Sequence, residues 1–172
     1  MSQVLIVVDA QNDFVTGVLG SEEAQAAIPY IQEKIREYQN DGKIFFTQDT
    51  HDELYLQTQE GKHLPVPHCI QDTEGWELCK DINTSIGTLI TKKTFGSNIL
   101  PMMLYEDRQD IVSIELVGFC TDICVISNAL ILKAYYPEIP MKVYAPACAG
   151  VTVEKHKAAL EVMRSCQIEV NE

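Results

Sequence analysis

Near the start of the chain, Gln3–Asp9 (QVLIVVD) is a nearly continuous apolar, β-branched run that ends in a carboxylate. A run with no polar face suits a strand buried on both sides of a parallel sheet, not the half-wet strand of a hairpin. Beyond it the chain alternates between helical and strand periods. Ile28, Ile31, Ile35 and Tyr38 recur at helical spacing between about Glu23 and Asn40, and Gly42 supplies a stop. Lys43–Asp49 reads as a second strand, Thr88–Thr91 as a third, Asp110–Val117 as a fourth, Met141–Ala145 as a fifth and Gln167–Val170 as the last. Helices are expected over Asn98–Tyr105, Thr121–Tyr135 and Val153–Cys166. Strands that alternate with helices imply βαβ crossovers. The expected architecture is α/β: one doubly wound, Rossmann-like, three-layer domain over residues 1–172, with a mainly parallel sheet. Asp52 to about Glu77 is polar, broken by Gly61, Pro65, Pro67 and Gly75, and reads as a long functional loop.

Charge and cysteine usage narrow the partners. A formal net charge of −12 would be repelled by nucleic acid and by anionic membranes, so neither is an expected partner. No apolar stretch approaches the roughly 20 residues of a membrane span. The chain enters its first apolar run without the basic start and small-residue cleavage site of a secretory signal. Six cysteines without a C-x-x-C pair are then read as reduced thiols in a cytoplasmic protein. Small α/β enzymes of this length commonly associate symmetrically, so a homo-oligomer is expected.

In doubly wound sheets the binding crevice lies at the carboxyl ends of the strands. That rule gathers Asp9, Asp49, the Lys92-Lys93 pair and the Gly118–Cys124 turn at one rim. The turn, within GFCTDICV (Gly118–Val125), runs from a strand into a helix that Thr121 or Asp122 could cap, which puts Cys124 in the first helical turn. There the positive end of the helix dipole favours a thiolate, and backbone N–H groups can hold an oxyanion. Cys120 shares the turn and is the competing thiol; either could also be an inert core residue. Asp9, at the end of a buried strand, must be paired or protonated, which suits a general base of raised pKa as well as a loop cap.

A second cluster lies beside the first. Asp49 and His51 stand two apart at a strand end, and His68 returns in PVPHC (Pro65–Cys69), with Glu60 and His63 between. Imidazole and carboxylate donors of this kind suit one divalent ion, Zn²⁺, Mn²⁺ or Fe²⁺, although solvated loop residues show the same composition.

The segments DAQNDF (Asp9–Phe14), TQDTH (Thr47–His51), KKTFGS (Lys92–Ser97) and GFCTDICV resemble, in order, those of the isochorismatase-like cysteine hydrolases, most closely the nicotinamidase and pyrazinamidase branch. The resemblance implies an Asp–Lys–Cys triad. It falls on Asp9, Lys93 and Cys124, with Lys93 preferred to Lys92 because it stands two residues before the aromatic Phe95. It implies a cis peptide between Phe119 and Cys120 and oxyanion donors in the backbone N–H groups of Cys120 and Cys124. It places a divalent metal on Asp49, His51, Glu60 and His68. Leu64 and Pro65 stand where many nicotinamidases carry a Trp-Pro segment, so Phe14 or Phe95 would have to wall the substrate ring. Trp76, the single tryptophan, reads as packing. The implied reaction is hydrolysis of a small amide, such as nicotinamide, through a thioester on Cys124. Competing readings are a family amidase acting on carbamoyl or ureido compounds, an isochorismatase proper, and a non-enzymatic, redox-sensing member with oxidised Cys120 or Cys124.

Overall fold

The computed structural model of the chain describes residues 1–172. Its six strands are β1 (Ser2–Val8), β2 (Lys43–Asp49), β3 (Thr88–Lys92), β4 (Ile111–Phe119), β5 (Met141–Ala149) and β6 (Glu169–Asn171). They form a single sheet in the order β3-β2-β1-β4-β5-β6, and every pairing is parallel. The run that opens the chain occupies the middle, where Val4 to Val8 are fully buried, as a strand covered on both faces must be.

The helices are α1 (Asn12–Val15), α2 (Glu22–Tyr38), α3 (Gln59–His63), α4 (Ile99–Tyr105), α5 (Ile126–Tyr135) and α6 (Val153–Ser165). On one face, Ala24, Ile28, Ile31, Ile35 and Tyr38 of α2 pack with Leu5, Val7 and Phe46. On the other, Leu100 and Leu104 of α4, Leu132 of α5 and Leu160 and Met163 of α6 pack with Val4, Ile6 and Leu116. The layers are those expected. The Ser21 hydroxyl accepts from the Ala24 N–H at the start of α2, and Thr152 accepts from Lys155 at the start of α6. No helix is long and apolar enough to cross a membrane.

Departures from the expected elements are local. β4 and β5 run further than their apolar cores suggest, and β6 is a three-residue edge beginning at Glu169 instead of Gln167. The long loop after β2 carries a 3₁₀ turn (Tyr55–Gln57) and the single-turn α3, too short to leave a periodic trace.

Strand order reverses between β1 and β4, and a sheet of this kind opens its crevice at that point. Gly118 is a requirement of that junction. Its φ is +119°, and a Cβ there would stand 2.0 Å from the Val8 carbonyl oxygen on the neighbouring strand.

Candidate active site

Asp9 leaves β1 with a φ of 47° and is completely buried. Its Oδ1 accepts from the Thr47 hydroxyl at 2.6 Å, and its Oδ2 pairs with Lys92 Nζ at 2.7 Å. The same ammonium lies 3.3 Å from Asp49 Oδ1, donates to the Thr94 carbonyl at 2.9 Å and reaches 3.6 Å from Cys124 Sγ. Three groups far apart in sequence therefore meet around one buried nitrogen.

The lysine that does this is Lys92, which corrects the placement of Lys93. In β3 the side chains of Ile90 and Lys92 are buried and that of Thr91 is exposed, as is Lys93 just past the strand's end. Asp49 and Lys92 are register partners across β2 and β3, which fixes which lysine can enter. Lys93 instead borders the exposed clefts lined by Thr50 and Gln71. A spacing counted back from Phe95 points to Lys93, whereas the two-residue alternation from Ile90 points to Lys92, the lysine that enters the cluster.

Cys124 sits in a wide π-type turn, Thr121–Val125, that runs directly into α5. Neither Thr121 nor Asp122 caps it; the N–H groups of Ile123 and Val125 both donate to the Cys120 carbonyl, at 3.1 and 3.0 Å. The Phe119–Cys120 peptide is cis. The Cys120 N–H donates to no acceptor within the chain, which leaves it available to a ligand oxygen beside the thiol. The Asn128 amide, one turn along, donates to the Cys124 carbonyl at 2.8 Å and to that of Phe95 at 3.2 Å, while its Oδ1 accepts from the Ser97 N–H. Asn128 thereby ties the nucleophile helix to the segment after β3. Only its position four residues after Cys124 hinted at that.

Burial and the neighbouring Asp9 carboxylate push the Cys124 thiol well above its ordinary value against the pull of Lys92, so the resting group is a protonated thiol. Burial likewise raises the Asp9 carboxyl, with Lys92 opposing. Burial would lower Lys92, but Asp9, Cys124 and Asp49 hold it above the usual lysine range. A carboxylate of raised pKa next to a thiol, steadied by a permanent cation, can carry the thiol proton to and fro.

The second cluster adjoins the first through Asp49. Asp49 Oδ2 lies 3.0 Å from His51 Nε2 and 3.7 Å from His68 Nε2; Glu60 Oε1 lies 3.6 and 3.8 Å from the same nitrogens. The four donors fall within 4.8 Å of one another. His68 Nδ1 is 2.8 Å from the Val66 carbonyl, an arrangement that uses the far ring nitrogen as donor and leaves Nε2 free to ligate. Burial alone would raise Asp49, but His51, His68 and Lys92 hold it well below the usual carboxylate range. This donor set fits one divalent cation. His63 does not join it: its ring is exposed and bonds the Gln59 carbonyl within α3.

The aromatic expectations separate. Phe14 is buried with its ring 5.5 Å from that of His68, beside the cluster. Phe95 is 43% exposed on the segment after β3. Tyr55, overlooked in the sequence, is buried with its ring 4.7 Å from His51 and 5.0 Å from His68. Trp76 packs against the α2-side core as expected, and its indole N–H donates to Thr50 Oγ1.

The rest of DAQNDF holds the long loop in place. Gln11 Nε2 donates to the carbonyls of Asp49 and Trp76, and Gln11 Oε1 accepts from the Asp49 N–H, all at 2.8 Å. The Asn12 N–H bonds the Glu77 carbonyl, the Asp13 N–H bonds that of Gly75, and the Cys79 N–H bonds that of Ala10. Asp13 Oδ2 accepts from the Cys69 N–H at 2.7 Å, immediately after His68. A motif read for its carboxylate thus also fixes two cation donors.

Comparison with known proteins places this arrangement. The isochorismatase domain model matches residues 3–171. The nicotinamidase/pyrazinamidase of Mycobacterium tuberculosis is 26% identical over 186 residues, covering 98% of this chain and 97% of that one. The nicotinamidase of Schizosaccharomyces pombe is 27% identical over 208 residues, with 96% and 91% covered. Among solved structures, the pyrazinamidase of Pyrococcus horikoshii in complex with zinc aligns at a TM-score of 0.85 and 26% identity, over 100% of this chain and 99% of that one. The match runs over nearly the full length: the chain belongs to the isochorismatase family, in its nicotinamidase and pyrazinamidase branch.

Proposed function

We propose that the chain is an amidohydrolase that cleaves a small carboxamide, nicotinamide to nicotinate and ammonia, through a thioester on Cys124. The observation that carries this reading is the meeting of Asp9, Lys92 and Cys124 around one buried ammonium, at the sheet's switch point. The names of the relatives support the substrate class.

Asp9 takes the thiol proton as Cys124 Sγ attacks the carboxamide carbon. Lys92 holds both charges in register throughout. The oxyanion is received by the backbone N–H groups of Cys120 and Cys124. As the C–N bond breaks, Asp9 returns its proton to the departing ammonia, leaving a thioester. Asp9 then takes a proton from water, whose oxygen attacks the thioester, and gives it to the departing Cys124 sulfur; the acid leaves as carboxylate and the thiol is regenerated. Asp49, His51, Glu60 and His68 would hold one divalent cation, whose chemistry when bound is Lewis-acid anchoring of a substrate ring nitrogen. Phe14 and Tyr55, against the two imidazoles, supply an apolar wall at that side.

Ammonia release across an amide panel that includes nicotinamide and pyrazinamide, with elemental analysis of the same sample, tests the reading. The expected result is turnover of the heteroaromatic amides by protein carrying one divalent ion per chain. Full activity in metal-free protein removes the cation's part. Turnover confined to carbamoyl or ureido compounds replaces the substrate. No turnover of any amide overturns the reading.

A further inference from the structure

The turn that carries the thiol is held by one element no motif pointed to. Thr121 is completely buried, follows the cis-linked Cys120 and precedes Cys124 by three residues. Its Oγ1 lies 2.7 Å from Nδ1 of His156, thirty-five residues away in the first turns of α6. The neighbouring Asp122 uses its Oδ1 to accept from the Val151 N–H at 2.8 Å, just before α6. Gly150 lets these segments approach: a Cβ there would stand 2.8 Å from both Asp122 Oδ1 and His156 N. No side chain caps the turn, and these two contacts tie it to α6 and to the segment just before α6.

We infer that His156 is a positioning residue for the nucleophile turn, acting through the Thr121 hydroxyl to fix where Cys124 Sγ and the Cys120 N–H stand relative to Asp9 and Lys92. The consequence for turnover rests on the amidase reading above. Burial keeps His156 below the ordinary imidazole value, with Lys157 adding to that and Asp122 opposing it. The neutral ring hydrogen-bonds the Thr121 hydroxyl through Nδ1, and this requires a polar partner, not a charge. Thr121 itself touches no reacting atom; it sits between His156 and the peptide that presents the oxyanion donor. Displacement of that peptide by a fraction of an ångström misplaces a donor used mainly in the transition state, so the loss falls on kcat and spares KM.

The test compares wild type with His156→Ala, His156→Asn, Thr121→Val and the Thr121→Val/His156→Ala double variant. Turnover is measured on whichever amide of the panel the wild type cleaves. The rate of Cys124 alkylation by iodoacetamide, followed by mass spectrometry, is measured alongside. Expected for His156→Ala and Thr121→Val alike is a fall in kcat of about 10- to 100-fold with KM nearly unchanged. His156→Asn, which keeps a hydrogen-bonding group near the Nδ1 position, restores most of the rate, and the double variant is no worse than either single change. Cys124 alkylation slows in the same order. An unchanged kcat in folded His156→Ala overturns the inference, as does equal loss in His156→Asn or additive loss in the double variant. Should His156→Ala fail to fold, His156→Asn set against Thr121→Val decides on the same criteria. If the wild type cleaves no amide, the amidase reading fails by itself; equal Cys124 alkylation rates across the series would then overturn the positioning role separately.

Discussion

Replacing Lys92 with Met keeps the length of the side chain and removes the one cation between two buried carboxylates. Lys92, Asp9 and Asp49 side chains are 2%, 0% and 4% exposed, with Nζ 2.7 and 3.3 Å from the two acids. At an effective dielectric of ~20, unit charges about 3 Å apart attract by ~5–6 kcal/mol, and desolvation takes back much of that. Removing one partner is worse than never having had the pair, because the acids are left buried and facing each other; such losses cost ~3–5 kcal/mol. For a chain of this size each kcal/mol corresponds to roughly 2–4 °C, so the midpoint should fall by roughly 6–20 °C. A proton taken up by Asp9 would soften that fall, but a protonated Asp9 can no longer accept from the thiol. We expect kcat to fall by ~10²–10⁴. Lys93→Ala, exposed immediately after the same strand, should change stability by less than about 0.5 kcal/mol and leave turnover close to wild type. Ammonia release and thermal unfolding on both variants decide the matter. Wild-type kcat in Lys92→Met, or a severe loss confined to Lys93→Ala, would refute the charge arrangement derived from the structure.

Cys124→Ala should abolish turnover with the unfolding midpoint nearly unchanged, while Cys120→Ala, which keeps its backbone N–H, retains substantial activity in the same ammonia assay. His51→Ala should lose the bound ion by elemental analysis and nicotinamide turnover with it; His63→Ala, outside the four donors, should lose neither. Burial pushes the Cys79 thiol up to about 11 and those of Cys120 and Cys148 up to about 12, so a disulfide reagent at pH 8 should titrate the half-exposed Cys166 first. Prompt reaction of Cys120 and Cys148 in native protein would count against that burial. Light scattering at micromolar concentration should give a homo-oligomer mass, and a monomer mass removes that expectation.

Much of the fold was legible because each strand of a parallel sheet carries its own apolar signature. Leu5, Val7 and Phe46 mark one face and Val4, Ile6 and Leu116 the other, whatever their partners. The site was legible where a rule about sheets pointed to a position: Asp9, Asp49 and Cys124 all lie at carboxyl ends of strands or just beyond. Lys92 against Lys93 is a one-residue matter, and there a spacing borrowed from a motif competed with strand alternation; alternation is the physical constraint, since a one-residue slip turns the ammonium into solvent. Tyr55 and His156 left no mark because their roles arise from tertiary placement alone. One sits on a 3₁₀ turn under the imidazoles, the other on a helix whose periodicity speaks only of packing. Asn128 and Gln11 are intermediate: they stand within or next to the motifs, but the carbonyls they serve belong to segments about thirty to sixty-five residues away or to their own helix turn.

The hanging of residues 69–79 from the tail of β1 has a consequence for how the molecule opens. Asp49 and His51 ride on β2 and its immediate exit, with His68 next to the tied Cys69, while Glu60 belongs to the single-turn α3. These are two units of unequal persistence, and local openings of a protein follow such units. The ties from Ala10, Gln11, Asn12 and Asp13 couple the later half of the loop to the sheet, but the stretch carrying Glu60 has no such tether to β1. Without a cation, amide hydrogens around Glu60 should exchange first, those of 69–79 later, and those of β1 only on global unfolding. A cation held by all four donors is bound only while both units are closed. Occupancy therefore suppresses opening of the outer stretch by the free energy of binding itself, RT ln(1 + [L]/Kd). Exchange near Glu60 becomes a direct readout of cation affinity, obtainable with no substrate present.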